Sequence, residues 1–223
     1  MFRYLMFVMV LLSPLYSFNQ EPKLPNIIMM IGDGMGLSQI SSGMYSNNNY
    51  TSLERSHHIG LIKTHSLDDL VTDSAASGTA MSSGVKTYNR VVGLDKNFSP
   101  VNSILEISRD KGYMTAIIAT STIVHATPAS YYSKVKSRYD YEEIASQLSK
   151  SNINFFVGGG EKYFNDRRDK RNLMNEMDDY LFANSLENFI KINSNKIGFL
   201  TDYDKPIGKH EGRKPSLEDI VQA

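Results

Sequence analysis

The chain contains no cysteine, which excludes disulfides, thiolate metal ligands and a cysteine nucleophile. Histidine, aspartate, glutamate and hydroxyl groups are left for any metal site. It also lacks an excess of either charge, since 24 lysines and arginines face 24 aspartates and glutamates. No global field therefore favours nucleic acid or an acidic membrane, while local patches stay open. A long hydrophobic run is missing too: the apolar stretch from Tyr4 to Leu12 falls short of the ~20 residues that a spanning helix needs. No stable membrane anchor is expected. Arg3 precedes the stretch, and Ser13-Pro14 and the small-residue site Leu15-Tyr16-Ser17 follow it, so residues 1–17 read as a secretory signal peptide. Export to the periplasm or the exterior is expected, with a mature chain starting between Phe18 and Pro22. Without cysteine, the leader cannot be of the lipidated kind.

What is present is an ordinary globular composition, in a length of 223 residues that suits one large domain or part of one. Asn26–Ile31 is a continuous apolar run, which predicts a strand buried on both faces of a parallel sheet. It ends in Gly32-Asp33-Gly34-Met35-Gly36, where glycines permit a tight turn and Asp33 stands at the strand's carboxyl end, the ligand-binding edge of open α/β sheets. A helix is predicted over Leu37–Tyr45 and a second strand over Ile59–Thr64. Another helix is predicted over Ser74–Ser83, stopped by Gly84, and Tyr88–Leu94 reads as a short extended segment or turn. Val101–Lys111 predicts a helix ended by Gly112, and Tyr113–Thr120 a strand. Further on, Phe155–Gly160 and Lys196–Thr201 predict strands and Asp178–Ile190 an amphipathic helix, while Lys214-Pro215-Ser216 opens a last helix with a capping serine. The fold class is α/β, with a mostly parallel central sheet flanked by helices.

Four places carry candidate chemistry. In Thr72-Asp73-Ser74-Ala75-Ala76-Ser77-Gly78-Thr79-Ala80, Ser74 opens a helix whose N-terminal N–H groups and dipole would favour an anion. Small neighbours let a substrate approach. The stretch alone fits a nucleophile, and equally an N-cap made by Asp73 or Ser74. The glycine turn around Asp33 fits a metal or phosphate role, or a turn with a capping aspartate; its spacing is a poor match to a dinucleotide fingerprint. His125 and Thr127 lie two apart after a predicted strand, where extended backbone would place both on one side. Arg138, in Lys134-Val135-Lys136-Ser137-Arg138, has the planar fork suited to phosphate, although a basic run by itself is a solvated face. Arg167-Arg168-Asp169-Lys170-Arg171 reads as a solvated charge run, and His57, His58, His65 and His210 as surface or structural histidines.

Together these stretches resemble the amino-terminal half of an alkaline phosphatase. The resemblance rests on Gly32-Asp33-Gly34-Met35-Gly36, Thr72-Asp73-Ser74-Ala75-Ala76, Ala126-Thr127-Pro128 and Ser137-Arg138 in that order, with Gly84-Val85-Lys86-Thr87 and Phe155-Phe156-Val157-Gly158-Gly159-Gly160. It covers essentially all of the chain after residue 17. It implies hydrolysis of small-molecule phosphate monoesters through a phosphoserine, at a site holding two zinc ions and one magnesium, with no nucleic acid partner. Ser74 matches the nucleophile and a zinc ligand, and Asp33 the carboxylate bridging zinc and magnesium. Thr127 matches a magnesium ligand, and His125 falls where other members carry aspartate or histidine beside the magnesium. Arg138 matches the phosphate-binding arginine, and Asp73 is expected to bind substrate with it. A homodimer is compatible with the family. Segments that supply the other metal ligands in the family do not occur here, so the fold is expected to be incomplete at its carboxyl terminus and the isolated chain weakly active or inactive. The alternatives are a non-catalytic phosphate- or metal-binding fragment, or a phosphodiesterase of the same superfamily. Arg138 with Ser74 speaks against the latter, since a monoester dianion rewards an arginine on its free oxygens.

Overall fold

The computed structural model describes residues 25–222; the expected signal peptide and its cleavage region lie outside them. By contacts the chain divides between Gly32 and Asp33. The described residues before that point form neither helix nor strand, and all the elements below belong to the second unit.

Four strands form one parallel sheet: β1 (Ala116–Thr122), β2 (Phe155–Gly159), β3 (Leu181–Ala183) and β4 (Ile197–Leu200). Their order is β1-β2-β4-β3. β2 and β4 occupy the middle and are buried along nearly their whole length, which is why Phe155-Phe156-Val157 and Ile197-Gly198-Phe199-Leu200 read as unbroken apolar runs rather than alternating ones. β1 pairs Ile117 with Phe156 and Ile118 with Val157, then shifts register so that Thr122 meets Gly159. The main core gathers Ile123, Val124, Ile144, Leu148, Phe156, Phe164 and Leu173, all buried. Phe156 is its aromatic centre, with ring centroids 5.7 Å from Tyr180, 6.1 Å from Phe182 and 6.3 Å from Phe164.

Helices surround this sheet. α1 spans Leu37–Ser46, α2 Ser74–Ser83 and α3 Ile104–Asp110. α4 is a single turn, Ala126–Ala129, and α5 covers Tyr141–Leu148. Short α6 (Lys162–Asn165), α7 (Leu173–Glu176) and α8 (Leu186–Lys191) precede the final α9 (Leu217–Gln222). Local chemistry accounts for the ends. Gly84 caps α2 in the left-handed region, at φ 74°, and Ser103 with Glu106 forms a reciprocal capping box on α3. Ser216 accepts the Asp219 N–H at 3.1 Å, fulfilling its expected role as a cap.

Several sequence expectations are corrected. Neither Asn26–Ile31 nor Ile59–Thr64 is a strand. A strand buried on both faces requires pairing on its edges and cover on each side, and neither run joins the four-stranded sheet; Leu61 is 97% exposed. The helix expected over Asp178–Ile190 splits, because Leu181-Phe182-Ala183 pairs in parallel with Ile197-Gly198-Phe199 and Phe182 packs on Phe156. Only the part after Ser185, which caps Asn188, is helical. Packing here overrides local periodicity. Arg167 is also not solvated: it is 6% exposed and donates to the Glu142 carbonyl at 2.7 Å, the Tyr163 carbonyl at 3.1 Å and both oxygens of Asp169. One buried guanidinium thereby ties the start of α5 to α6. His57, His58, His65 and His210 are exposed, as expected.

Candidate active site around Asp33, Ser74 and Arg138

Ser74 is the first residue of α2, and Asp73 is its N-cap. The N-cap reading of this stretch therefore holds for Asp73, and it leaves the Ser74 hydroxyl outside the cap. Asp73 Oδ1 accepts the N–H groups of Ala75 at 3.1 Å and Ala76 at 2.9 Å, and its carbonyl accepts Ser77 N–H at 3.0 Å. These contacts correct the expectation of open N–H donors beside Ser74. A carboxylate already fills the helix N-terminus and neutralises its dipole, so an arriving anion must find its positive charge elsewhere.

That charge comes from Arg138, whose Nη1 donates to Asp73 Oδ2 at 3.0 Å. Its Nη2 donates to His125 Nε2 at 3.1 Å. A guanidinium has only donors, so Nε2 is the acceptor and the neutral imidazole carries its proton on Nδ1. Nδ1 faces Asp33 Oδ2 at 3.9 Å, too far for a hydrogen bond. Burial and, second, the Arg138 charge hold the His125 pKa below its usual value, against the opposing pull of Asp33.

Asp33 lies in the turn before α1 and receives two hydroxyls. Ser74 Oγ donates to Oδ1 at 3.0 Å, and Thr127 Oγ1 to Oδ2 at 2.8 Å. Thr127 reaches it from α4 rather than from extended backbone, which corrects the sequence picture of His125 and Thr127. The chain turns after β1, with His125 N–H on Thr122 O at 3.0 Å, and Pro128 is tolerated because the N–H groups of a first helical turn have no partner within the helix. α2 and α4 approach closely at Gly78, where a Cβ would lie 2.7 Å from Ser130 Oγ and 3.6 Å from Thr127 Cα.

Two contributors escaped the sequence reading. Asn89 Oδ1 accepts the Asp73 N–H at 2.9 Å while its Nδ2 donates to Val71 O at 3.0 Å. Arg90 donates its backbone N–H to Asp73 Oδ2 at 3.0 Å, and its carbonyl accepts Arg138 N–H at 2.7 Å. Both sit in Tyr88–Leu94, where an asparagine in a turn was the sole hint.

Comparison with known proteins decides the family: the model described as "Alkaline phosphatase" matches residues 24–223. The chain belongs to the alkaline phosphatase family. It is 40% identical over 172 residues to "Alkaline phosphatase 4" of Bacillus subtilis (strain 168), covering 70% of this chain and 37% of that protein. It is 36% identical over 223 residues to "Alkaline phosphatase 3" of the same organism, covering 91% of this chain and 47% of that one. Among solved structures, alkaline phosphatase from the Antarctic bacterium TAB5 superposes with a TM-score of 0.78 at 36% identity, over 85% of this chain and 56% of that chain. A histidine-to-aspartate mutant of the TAB5 enzyme, described with Mg bound in the M3 site, gives a TM-score of 0.77 at 35% identity, over 85% and 57% of the two chains. The chain thus spans less than half of those two Bacillus relatives. The family and the parallel α/β fold agree with the sequence reading.

The donor set around Asp33 fits part of a metal site. One carboxylate, two hydroxyls and an imidazole converge, and the oxygens suit a hard cation such as magnesium. Zinc takes nitrogen, sulfur or carboxylate donors, commonly three from the protein at a catalytic site. Among the described residues no group of three or more histidine, cysteine, aspartate or glutamate side chains could hold a metal. A zinc pair would therefore need donors beyond these residues.

Proposed function

We propose that this chain carries the nucleophile and the phosphate grip of a phosphate monoesterase working through a phosphoserine. The observation that supports it most is the double engagement of Asp33, which receives Ser74 Oγ and Thr127 Oγ1 on its two oxygens while Arg138 is fixed on the Asp73 cap immediately before Ser74. Ser74 Oγ forms the new bond to phosphorus as the bond to the ester oxygen breaks; the ester oxygen leaves as an alcohol, gaining the proton that Ser74 gives up, and water then cleaves the phosphoserine to release phosphate and restore the serine hydroxyl. Asp33 Oδ1 orients the Ser74 hydroxyl proton, although a carboxylate is too weak a base to remove it outright. Arg138 supplies charge-assisted donors to the phosphoryl oxygens that do not react.

Asp33, Ser74, Thr127 and His125 are the residues that would hold metal at a site of two zinc ions and one magnesium: Asp33 would serve zinc and magnesium, Ser74 zinc and Thr127 magnesium, with His125 beside it. Bound metals of this kind activate the nucleophile and stabilise the entering and leaving oxygens. With Nε2 engaged by Arg138, His125 acts through position more than as a direct magnesium ligand, since magnesium prefers oxygen. Magnesium bound in a histidine-to-aspartate mutant of the TAB5 enzyme supports a metal role. In our reading the protein is exported by the leader over residues 1–17 and acts on small-molecule phosphate esters, and the isolated chain has weak or no turnover. The test is hydrolysis of an aryl phosphate with zinc and magnesium. Slow release that disappears in Ser74→Ala supports the reading; robust release that survives Ser74→Ala refutes it.

A further inference from the structure

Arg90 is held in a conformation that its side chain disfavours. Its φ is 72°, a region where a residue with a Cβ sits at a free-energy cost and which, when maintained, clusters at functional sites. The cost is sustained by two bonds of its backbone, one to Asp73 Oδ2 at 3.0 Å and one from Arg138 N–H at 2.7 Å. The Arg90 backbone is thus bonded directly to Arg138, which grips phosphate, and to the carboxylate that holds Arg138 in place. Three other cations are occupied, Arg138 by Asp73, Lys134 by Glu106, and Lys86 by the carbonyls of Lys63 and His65, while Lys205, which acts on His125 through its charge, carries no planar fork. The Arg90 residue is exposed, and among the described residues its guanidinium makes no hydrogen bond or ion pair. An exposed arginine is ordinarily a solvated charge. Here it is a free planar fork, suited to a carboxylate or phosphate, on a backbone built into the phosphate grip.

We propose that Arg90 is a specificity-determining residue that favours esters whose leaving group carries a second anion, a carboxylate or a further phosphate. The inference rests on the phosphate site proposed above. Arg138 holds the reacting phosphoryl group, and Arg90 holds the second anion beside it.

The test compares binding of ethylphosphonate and 2-carboxyethylphosphonate to the full chain by calorimetry. The two probes share a phosphonate and differ by the carboxylate. The wild-type chain is expected to favour the carboxylated probe by about five-fold, the scale of an exposed charge pair. Arg90→Gly suits the left-handed backbone and Arg90→Gln keeps side-chain bulk without charge. Both should bring the ratio to about one, whatever each does to the affinity for ethylphosphonate itself, and Arg90→Lys should retain part of the preference. A wild-type ratio near one, or a ratio unchanged in both neutral variants, overturns the role of Arg90. Ethylphosphonate binding that is absent, or indifferent to Arg138→Ala, would instead remove the phosphate site itself, and this proposal with it.

Discussion

Asp73 and Arg138 stand 65 residues apart in the chain and meet through Arg138 Nη1 on Asp73 Oδ2 at 3.0 Å. The same carboxylate caps α2 through its other oxygen. One side chain therefore fixes both the start of the Ser74 helix and the orientation of the arginine beside it.

Replacing Asp73 should consequently harm two properties together. Asp73→Ala removes an N-cap and leaves a guanidinium only 15% exposed without its carboxylate, for a combined loss of about 2–3 kcal/mol. Denaturant unfolding reads the loss, and phosphate titration should weaken in the same variant. Asp73→Asn retains an acceptor for Ala75 and Ala76 and should recover much of the stability but little of the phosphate affinity. Equal recovery of both would show that the charge on Asp73 does not organise Arg138.

Gly78→Ala inverts a usual rule. In an exposed helix the change gains about 1 kcal/mol, but here the new Cβ would meet Ser130 Oγ at 2.7 Å and Ser130 Cβ at 3.1 Å. Ser130 cannot simply turn away, because it is buried and its hydroxyl donates to Ala126 O at 2.7 Å. Overpacking of this kind costs about 1–3 kcal/mol, so net destabilisation is expected, with Thr127 displaced from Asp33. Thermal unfolding should show a lowered midpoint; a raised one would mean that α2 and α4 are less tightly opposed than described.

The Arg167–Asp169 pair predicts an acid dependence. Hydrogen bonding from Arg167 holds the Asp169 pKa down at about 2, against an ordinary 3.8. A depressed carboxylate pKa gives stability that is complete above the unfolded value and is lost as pH falls through the folded one. The melting-temperature gap between wild type and Asp169→Asn should thus be constant above about pH 5 and close between roughly pH 4 and 2. A gap that persists at pH 2 would contradict the pairing. Arg167→Ala should be far more damaging at neutral pH, by about 2–4 kcal/mol, since it removes a buried guanidinium together with its bonds to two backbone carbonyls and to Asp169.

His125→Asp would add a hard oxygen donor where Nδ1 now stands 3.9 Å from Asp33 Oδ2. Magnesium affinity should rise on the order of tenfold, followed by calorimetric titration. Unchanged affinity would place the magnesium role away from position 125.

Local chemistry made much of the fold legible. Ser74 to Gly84 was readable to the residue because small residues, a capping aspartate and a left-handed glycine all act within the helix itself. β2 and β4 were readable because burial on both faces leaves continuous apolar runs. Ile59–Thr64 has the same composition and is no strand, since pairing depends on neighbours that composition does not encode. Leu181–Ala183 erred the other way: a helical pattern yielded to the edge of β4. At the site, the family motifs picked out Asp33, Ser74, Thr127 and Arg138. The structure brings Ser74 and Thr127 onto Asp33, and Arg138 onto Asp73. Asn89 and Arg90 act through backbone groups and one amide, which leave no pattern in a single sequence. Arg167 was hidden in a charge run because burial, not residue type, distinguishes it from Arg168.

The account turns on Ser74 Oγ as the atom that receives phosphate. The most direct measurement incubates the full chain with an aryl phosphate, zinc and magnesium, quenches in acid and maps phosphorylation by mass spectrometry. Phosphate on Ser74, absent from Ser74→Ala and reduced in Arg138→Ala, is the predicted result. A chain that releases phosphate without ever carrying it on Ser74, or that carries it on another residue, would contradict the account.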